Sequence, residues 1–237
     1  MNTLLNNLFF KGYALMPSFL SSFKVDQLSL AIEKLLKSDT PDIIRCNENT
    51  YSYYDIINSN KTHILTREGV NGVKYDAGLI DIFNPDFTIN YLDIDFLGLS
   101  DFADELSIIG YNFSNFNIYI TKGVSCTRPT HFDGANQIKI FIYLTDVYSN
   151  DSGPYSYVPY SVLLFPIFSF VSFFRKLLST NIFYTKNFSF LDKHLTYLLG
   201  SKGDLIISNQ AGLHRGTPQS PSCSRMVLVA NFLKNNL

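Results

Sequence analysis

Residues 129–134 read PTHFDG, and this stretch decides which fold the rest of the chain has to build. His131 and Asp133 stand two positions apart, a spacing that directs both side chains to one face of an extended strand or of its end. A neutral imidazole and a carboxylate on one face can share a metal ion. They are two of the three ligands in the two-histidine, one-carboxylate site, which binds Fe(II) and leaves adjacent coordination positions open. Such a site requires a second histidine from a different strand.

The third ligand has to be a second histidine. The chain has four histidines, at positions 63, 131, 194 and 214. His214 closes residues 203–214, GDLIISNQAGLH, which predict a turn, an apolar strand and a second turn. His194 lies in a segment of Lys, Leu and Tyr that is typical of a helix surface. The pattern therefore favours His214 over His194.

An arginine follows at a distance that a turn can span. Arg225 comes eleven residues after His214, and two prolines and a glycine lie between them. This turn-rich connection leads into the apolar segment 226–232, so a hairpin-like return would bring Arg225 back beside the metal. A guanidinium binds a carboxylate through two parallel hydrogen bonds. Arg225 is therefore the predicted anchor for the far end of a dicarboxylate co-substrate.

Short apolar runs separated by Gly, Pro, Ser and Asn follow one another from residue 115 onward, a pattern typical of a β-sandwich or barrel. The candidate strands are residues 116–121, 138–144, 204–208 and 226–232. Nearer the N-terminus, residues 12–17 predict a short strand that ends at a proline. Residues 25–36 carry apolar side chains at helical spacing and predict a helix packed on a sheet, with Ser21 or Ser22 as its cap.

The composition of the 237 residues is that of a globular protein, with 46% hydrophobic and 16% charged residues. Nineteen Lys and Arg against twenty Asp and Glu give a net charge of −1, which disfavours a nucleic-acid-binding function. No repeat or linker divides the chain, so we expect one domain over residues 1–237. The three cysteines are widely spaced and the N-terminus has no cationic, cleavable segment; both features predict a cytoplasmic protein.

An uncharged run of 23 residues extends over 152–174 and is long enough for a membrane span. Prolines at positions 154, 159 and 166 would break such a helix, so we expect no transmembrane span. Because the run lies between Asp133 and His214, which must meet at one metal, it belongs to a Phe/Tyr-rich insert at about 152–199 near the barrel mouth. The alternatives for it are a substrate lid, a homodimer surface and a peripheral membrane contact.

Two segments give opposite indications about a substrate. Residues 76–105 contain eight acidic residues and no Lys or Arg, which indicates either a surface for a cationic molecule or a solvated face with helix caps. The aromatic run at 152–174 indicates an apolar molecule.

Taken together, these residues resemble the phytanoyl-CoA dioxygenase family of Fe(II)- and 2-oxoglutarate-dependent oxygenases. That family shows a His-x-Asp, a distal His after a Gly-Asp and a strand, and an Arg some eleven residues further on. The matching residues here are His131, Asp133, His214 and Arg225. Residues 10–17 are similar to the family's N-terminal opening, and residues 142–154 to its strand and turn after the first ligands.

The resemblance implies a mainly β, α+β fold: a double-stranded β-helix (jelly roll, cupin-like) core with flanking N-terminal helices. It implies Fe(II) bound by the two histidines and Asp133, 2-oxoglutarate and O2 as co-substrates, and Arg225 on the distal carboxylate of 2-oxoglutarate. Further candidates for hydrogen bonds to 2-oxoglutarate are Thr217, Lys122 and Tyr119.

The activity that the resemblance implies is oxidation, in the first place hydroxylation, of an unactivated C–H bond in a small-molecule metabolite, within a biosynthetic pathway. Related halogenases replace the carboxylate with a small residue, so Asp133 favours hydroxylation over halogenation. The chain departs from the family at 158–162, VPYSV, where a Pro-Gly-Ser-His turn is usual. That turn belongs to the substrate side, so the family's substrates do not carry over.

Two other classes stay open. A non-redox jelly-roll metal enzyme, an isomerase or hydrolase, would use the same three ligands without Arg225 or 2-oxoglutarate. A jelly-roll binding protein would bind no iron.

Overall fold

The computed structural model describes residues 2–47, 52, 55–56, 59–68, 75–178 and 187–234. The α-helices in these ranges are α1 (Asn2–Phe10), α2 (Ser22–Lys37), α3 (Ile94–Leu97), α4 (Ser100–Ile108) and α5 (Phe165–Leu178). The strands are β1 (Tyr13–Met16), β2 (Ile43–Asn47), β3 (Thr62–Thr66), β4 (Ile80–Phe83), β5 (Tyr111–Lys122), β6 (Gln137–Tyr143), β7 (Tyr155–Tyr157), β8 (Thr196–Leu198), β9 (Leu205–Asn209), β10 (His214–Gly216) and β11 (Ser224–Lys234). Short 3-10 helices lie at Pro85–Phe87, Ser161–Leu164 and Ser189–His194.

The strands form two sheets. The larger has the order β1-β9-β6-β11-β5-β4-β3-β2 and is antiparallel except for the parallel pair β2 and β3. The smaller has the order β10-β7-β8 and is antiparallel. Apolar side chains of both sheets, among them Phe141 of β6 and Tyr157 of β7, form one buried cluster. This arrangement confirms the predicted jelly-roll core with helices outside it.

The predicted elements all occur, and several are longer than predicted. The four candidate strands lie within or nearly within β5, β6, β9 and β11, and the helix predicted at 25–36 is α2. Ser21 is its N-cap and accepts a hydrogen bond from the backbone N–H of Lys24 at 3.5 Å. Strand β5 begins five residues before the predicted start because the polar segment 111–115 still pairs with the end of β11.

Alternate residues of the central strands face opposite sides of the larger sheet. The even-numbered residues of β6 are isoleucines that share the main core with Leu28 and Ile32 of α2. The odd-numbered residues, among them Lys139 and Phe141, lie on the side of the smaller sheet. This alternation decides which side chains can reach a site between the two sheets.

The uncharged run does not form one uniform segment. Tyr155–Tyr157 is the central strand of the smaller sheet, and the chain then leaves the sheet through α5 and returns in β8. Residues 179–186 of the predicted insert lie outside the described residues. Within the part that the structure describes, no helix is sufficiently long and apolar to span a bilayer.

Candidate metal centre

His131, Asp133 and His214 come together at one point between the sheets. One ligand atom from each residue can be chosen so that all three lie within 4.8 Å of one another. Nε2 of His131 is 3.5 Å from Oδ1 of Asp133, and Nε2 of His214 is 3.7 Å from Oδ2 of the same carboxylate. The structure therefore assembles the three predicted ligands with their donor atoms converging.

Backbone carbonyls fix which nitrogen of each imidazole faces the others. Nδ1 of His131 is 2.7 Å from the carbonyl of Pro129, and Nδ1 of His214 is 2.9 Å from the carbonyl of Gly212. A carbonyl only accepts hydrogen bonds, so each Nδ1 carries the proton and donates it. Both Nε2 lone pairs are consequently free to bind a metal.

Backbone hydrogen bonds hold the three candidate ligands close together. His131 and His214 form an antiparallel bridge: the N–H of each donates to the carbonyl of the other, at 3.0 and 2.8 Å. The N–H of Asp133 donates to the carbonyl of Gln210 at 3.0 Å. These bonds join the 129–134 segment to the end of the β9 turn, so two stretches some eighty positions apart present one ligand set.

Burial and neighbouring charges shift the pKa values of His131 and Asp133. Burial, and then the neighbouring His214, lower the pKa of His131 to about 3, so its imidazole is neutral at pH 7. Burial alone would raise the pKa of Asp133, but Lys139 and the two histidines hold it well below the usual value. Nζ of Lys139 lies 3.0 Å from Oδ2 of Asp133. At neutral pH the site therefore offers a neutral His131 imidazole and an ionised Asp133 carboxylate beside His214.

Gly212 lets the chain pass close to the wall of the site. A Cβ atom at this position would overlap the hydroxyl of Tyr157 and approach Oγ of Ser161. The Tyr157 hydroxyl donates to the carbonyl of Asn209 at 2.7 Å, and the Tyr157 ring stacks on that of His214 with centroids 6.2 Å apart. The small residue therefore allows the contacts that position the third ligand.

A cavity of about 100 Å³ lies beside the three ligands. Three of the four predicted co-substrate residues line it. Tyr119, Thr217 and Arg225 line the cavity, and the Thr217 hydroxyl donates to the carbonyl of Pro154 at 2.7 Å. Lys122 is not among the lining residues: it is exposed at the end of β5. Its even position puts it on the opposite face of the strand from Tyr119 and Thr121.

Arg225 is half-buried beside Thr121, its partner on β5. Its Nη1 donates to the carbonyl of Gly153, while its buried Nε–H has no hydrogen-bond partner among the described residues. The described part of the chain also has no carboxylate in ion-pair contact with it. Desolvation lowers the pKa of Arg225 from its ordinary value. A half-buried guanidinium with no charged partner in the described part of the chain thus lines the cavity.

Sequence reasoning missed the other charged residues at the cavity. Lys139 could have been found from its odd position in β6, the same as that of Phe141. Arg128 and Arg67 could not, because each meets its carboxylate only in the fold. Nε of Arg128 lies 2.7 Å from Asp76, and Nη2 of Arg67 lies 3.2 Å from Asp81.

Those two ion pairs also bear on the acidic segment at 76–105. Asp76 and Asp81 are neutralised by arginines, and Asp93 caps α3 through a hydrogen bond from the N–H of Phe96 at 2.6 Å. The predicted helix cap is therefore present at Asp93, whereas Asp76 and Asp81 are buried in ion pairs and fit neither a solvated face nor a surface for a cationic molecule.

No protein-family model matches the chain, and no curated protein matches its sequence. Solved structures do match. EvdO2 of Micromonospora carbonacea var. aurantiaca, in complex with 2-oxoglutarate, has a TM-score of 0.65 at 13% identity, over 99% of this chain and 91% of EvdO2. SnoK, a non-heme alpha ketoglutarate dependent carbocyclase from nogalamycin biosynthesis, has a TM-score of 0.61 at 14% identity, over 99% and 84%. HygX of Streptomyces hygroscopicus, with nickel and 2-oxoglutarate bound, has a TM-score of 0.58 at 12% identity, over 99% and 87%.

At these identities the similarity establishes the fold. The resemblance to the phytanoyl-CoA dioxygenase family in particular stays a prediction.

Proposed function

We propose that this protein is an Fe(II)- and 2-oxoglutarate-dependent oxygenase that acts in the cytoplasm on a small-molecule metabolite of a biosynthetic pathway. The observation that carries the proposal is the pairing, in one cavity, of a three-residue candidate metal site with a half-buried arginine that has no carboxylate partner among the described residues. Three structural neighbours that bind or depend on 2-oxoglutarate have the same fold.

The donor set fits a divalent iron. Two imidazole nitrogens and one carboxylate converge from His131, His214 and Asp133, and the backbone holds them in place. Three protein ligands would leave coordination positions open for co-substrate and oxygen. The carbonyl acceptors behind both imidazoles supply the outer contacts that orient metal-binding histidines.

Arg225 fits the distal carboxylate of 2-oxoglutarate. Its buried Nε–H has no partner among the described residues, and a carboxylate is an anionic acceptor that a guanidinium can bind through two hydrogen bonds. Tyr119 and Thr217 line the same cavity and are the proposed sources of further hydrogen bonds. Lys122 drops out of this proposal because it is exposed on the other face of β5.

When bound, the iron would couple the reduction of O2 to the oxidative decarboxylation of 2-oxoglutarate and to a two-electron oxidation of the substrate. The chain's own residues position the components. Lys139 keeps the Asp133 carboxylate ionised, and the Nδ1–H bonds prevent either imidazole from turning its protonated nitrogen to the site. Phe141 and Tyr155, stacked with ring centroids 4.5 Å apart, form an apolar wall that restricts access of water.

Hydroxylation is the outcome we propose, because Asp133 occupies the position that a halide would need. Ring formation at a C–H carbon is the second candidate, since SnoK has this fold and is a carbocyclase. Product analysis by mass spectrometry separates them: hydroxylation adds one oxygen atom, and ring formation removes two hydrogen atoms.

The test uses anaerobic protein loaded with Fe(II), to which 2-oxoglutarate is added. We expect the visible metal-to-ligand charge-transfer band of a chelated 2-oxo acid. His214→Ala should lose the band with the iron, whereas the matched control His194→Ala, at an exposed histidine, should keep both. Iron binding without the band would favour the non-redox metal enzyme, and folded protein that binds no iron would favour the binding protein.

A further inference from the structure

Helix α5 carries an apolar face that the rest of the described chain leaves uncovered. The exposed side chains on it are Ile167, Phe170, Phe173, Phe174 and Leu177. Their spacing of three or four positions places them on one side of the helix. Phe170 is 64% exposed and Leu177 is 67% exposed. Large apolar side chains at this exposure, grouped on one face, mark a surface that contacts something else.

The opposite side of the same helix is packed normally. Phe168 is buried in a cluster with Phe132, Phe188 and Leu213, and Phe165 and Val171 pack against that cluster. The helix is therefore fixed to the protein by one face while it presents the other to the surroundings. The exposed face continues onto the preceding turn, where Leu163 and Leu164 are exposed, and to Tyr160, whose ring contacts that of Phe10.

The charged residues of the segment that carries this face are of one sign. Between Asp151 and Asp192 the sequence contains no acidic residue and three basic ones, Arg175, Lys176 and Lys186. Arg175 and Lys176 lie in the last turn of α5, and Lys176 is exposed. An apolar helix face with an exposed lysine in its last turn is complementary to an anionic, lipid-covered surface.

A second copy of the chain is a poorer partner for the same charges. In a symmetric dimer each patch meets itself, so bases buried there would need acidic partners from the same segment of the other copy. The 152–191 segment has no carboxylate with which to pair them. Buried like charges are costly, whereas a bilayer offers lipid phosphates to the bases and acyl chains to the phenylalanines.

We propose that the outer face of α5 docks on an anionic phospholipid bilayer, with the helix lying in the plane of the membrane interface. Its 14 residues are too few to cross the hydrocarbon core, which takes about 20. Ile167, Phe170, Phe173 and Leu177 enter the acyl boundary, and Lys176 stays at the level of the phosphates.

The experiment is vesicle co-sedimentation of the full chain with phosphatidylcholine vesicles, with or without about 30% phosphatidylglycerol. Wild type should sediment with the anionic vesicles. Phe170→Ser with Phe173→Ser should weaken this binding about tenfold or more, because two exposed apolar side chains are lost. The control Phe23→Ser removes an equally large side chain, 75% exposed on α2, and should bind as wild type does. Lys176→Gln should weaken binding to the anionic vesicles about fivefold and have little effect on neutral ones.

Light scattering of the same proteins during gel filtration completes the test. We expect a monomer whose mass the serine variant does not change. Wild type that stays in the supernatant, or serine and control variants that bind equally well, would overturn the proposal. A wild-type dimer that the serine variant converts to monomer, without vesicle binding, would assign the face to a second copy. Circular dichroism of each variant confirms that the fold is retained.

Discussion

Replacing Arg225 with methionine should strongly weaken 2-oxoglutarate binding with little effect on the stability of the protein without 2-oxoglutarate. The change keeps the length of the side chain and deletes its charge. The half-buried guanidinium donates a hydrogen bond to the carbonyl of Gly153 and has no carboxylate partner among the described residues. Deleting it relieves a desolvated charge and leaves one carbonyl unsatisfied. Because these effects oppose each other, we expect the free energy of unfolding to change by less than about 2 kcal/mol.

The effect on the co-substrate is much larger. Truncating one partner of a buried, hydrogen-bonded charge pair costs about 2–5 kcal/mol, and a loss of about 3 kcal/mol raises Kd about 100-fold. At a 2-oxoglutarate concentration of about 100 times the wild-type Kd, bound ligand stabilises wild type by about 2.7 kcal/mol and the variant by about 0.4 kcal/mol. For a chain of this size the first figure corresponds to a Tm increase of about 5–10 °C and the second to about 1 °C.

The assay is a thermal melt of Mn(II)-loaded protein with and without 2-oxoglutarate. Arg215→Met is the matched control. Arg215 bonds Asp192 at 2.8 Å and Thr127 at 2.8 Å, so this variant should lower the Tm of the empty protein yet keep the shift caused by 2-oxoglutarate. If Arg225→Met instead unfolds like a variant that has lost a structural ion pair while keeping the full shift, Arg225 is a structural residue and the proposed anchor is wrong.

Alanine at His131 or Asp133 should abolish substrate-coupled succinate formation and weaken iron binding, measured as iron bound per chain after desalting; wild-type turnover in either variant would rule out the triad. Gly212→Ala should lower the free energy of unfolding by about 2 kcal/mol or more in urea titrations, because its Cβ would overlap the Tyr157 hydroxyl, and Tyr157→Phe in the same chain should restore part of the loss. Lys139→Met should destabilise the metal-free protein most at neutral pH: the folded pKa of Asp133 lies below its unfolded value of about 3.9, so this carboxylate stabilises the fold above that value and ceases to do so as pH falls through the folded pKa. The difference between wild type and the lysine variant should therefore shrink below about pH 4, and a difference that is constant with pH would show that Lys139 acts only by packing.

The residues of the candidate metal site could be predicted because short stretches of sequence carry their pattern. A His-x-Asp at a strand end and a histidine after an apolar strand and turn carry the information locally, and Arg225 follows from the length of the next turn. The prediction that Lys122 lies at the cavity was wrong, because the residue is on the other face of β5. It is even-numbered in β5, while Tyr119 and Thr121 show that the odd positions face the cavity. The position of a strand end in sequence does not reveal this, because the facing side depends on the partner strands.

The helical form of the uncharged run was also not decided by the sequence. Three prolines in 23 residues argue against a long helix, and two of them do lie outside it. Pro166, however, is the second residue of α5, where a proline removes no intrahelical hydrogen bond. A proline ends a helix or begins one according to its register, and that register is set by the packing of Phe165 and Phe168 on the cluster beneath them.

That packing connects the two surfaces of α5 in a way that bears on the substrate. Phe132, between two metal ligands in sequence, packs edge-on against Phe165 with centroids 5.4 Å apart. Leu213, next to His214, belongs to the same cluster, and its N–H donates to Oγ of Ser161 at 2.8 Å. The helix that would lie on a bilayer therefore packs against residues next in sequence to the candidate metal ligands. Asp76 and Asp81 are paired to arginines, so these two residues do not indicate a cationic substrate. A protein held at a membrane by α5 would meet molecules concentrated there, so the membrane proposal favours the apolar of the two substrate indications.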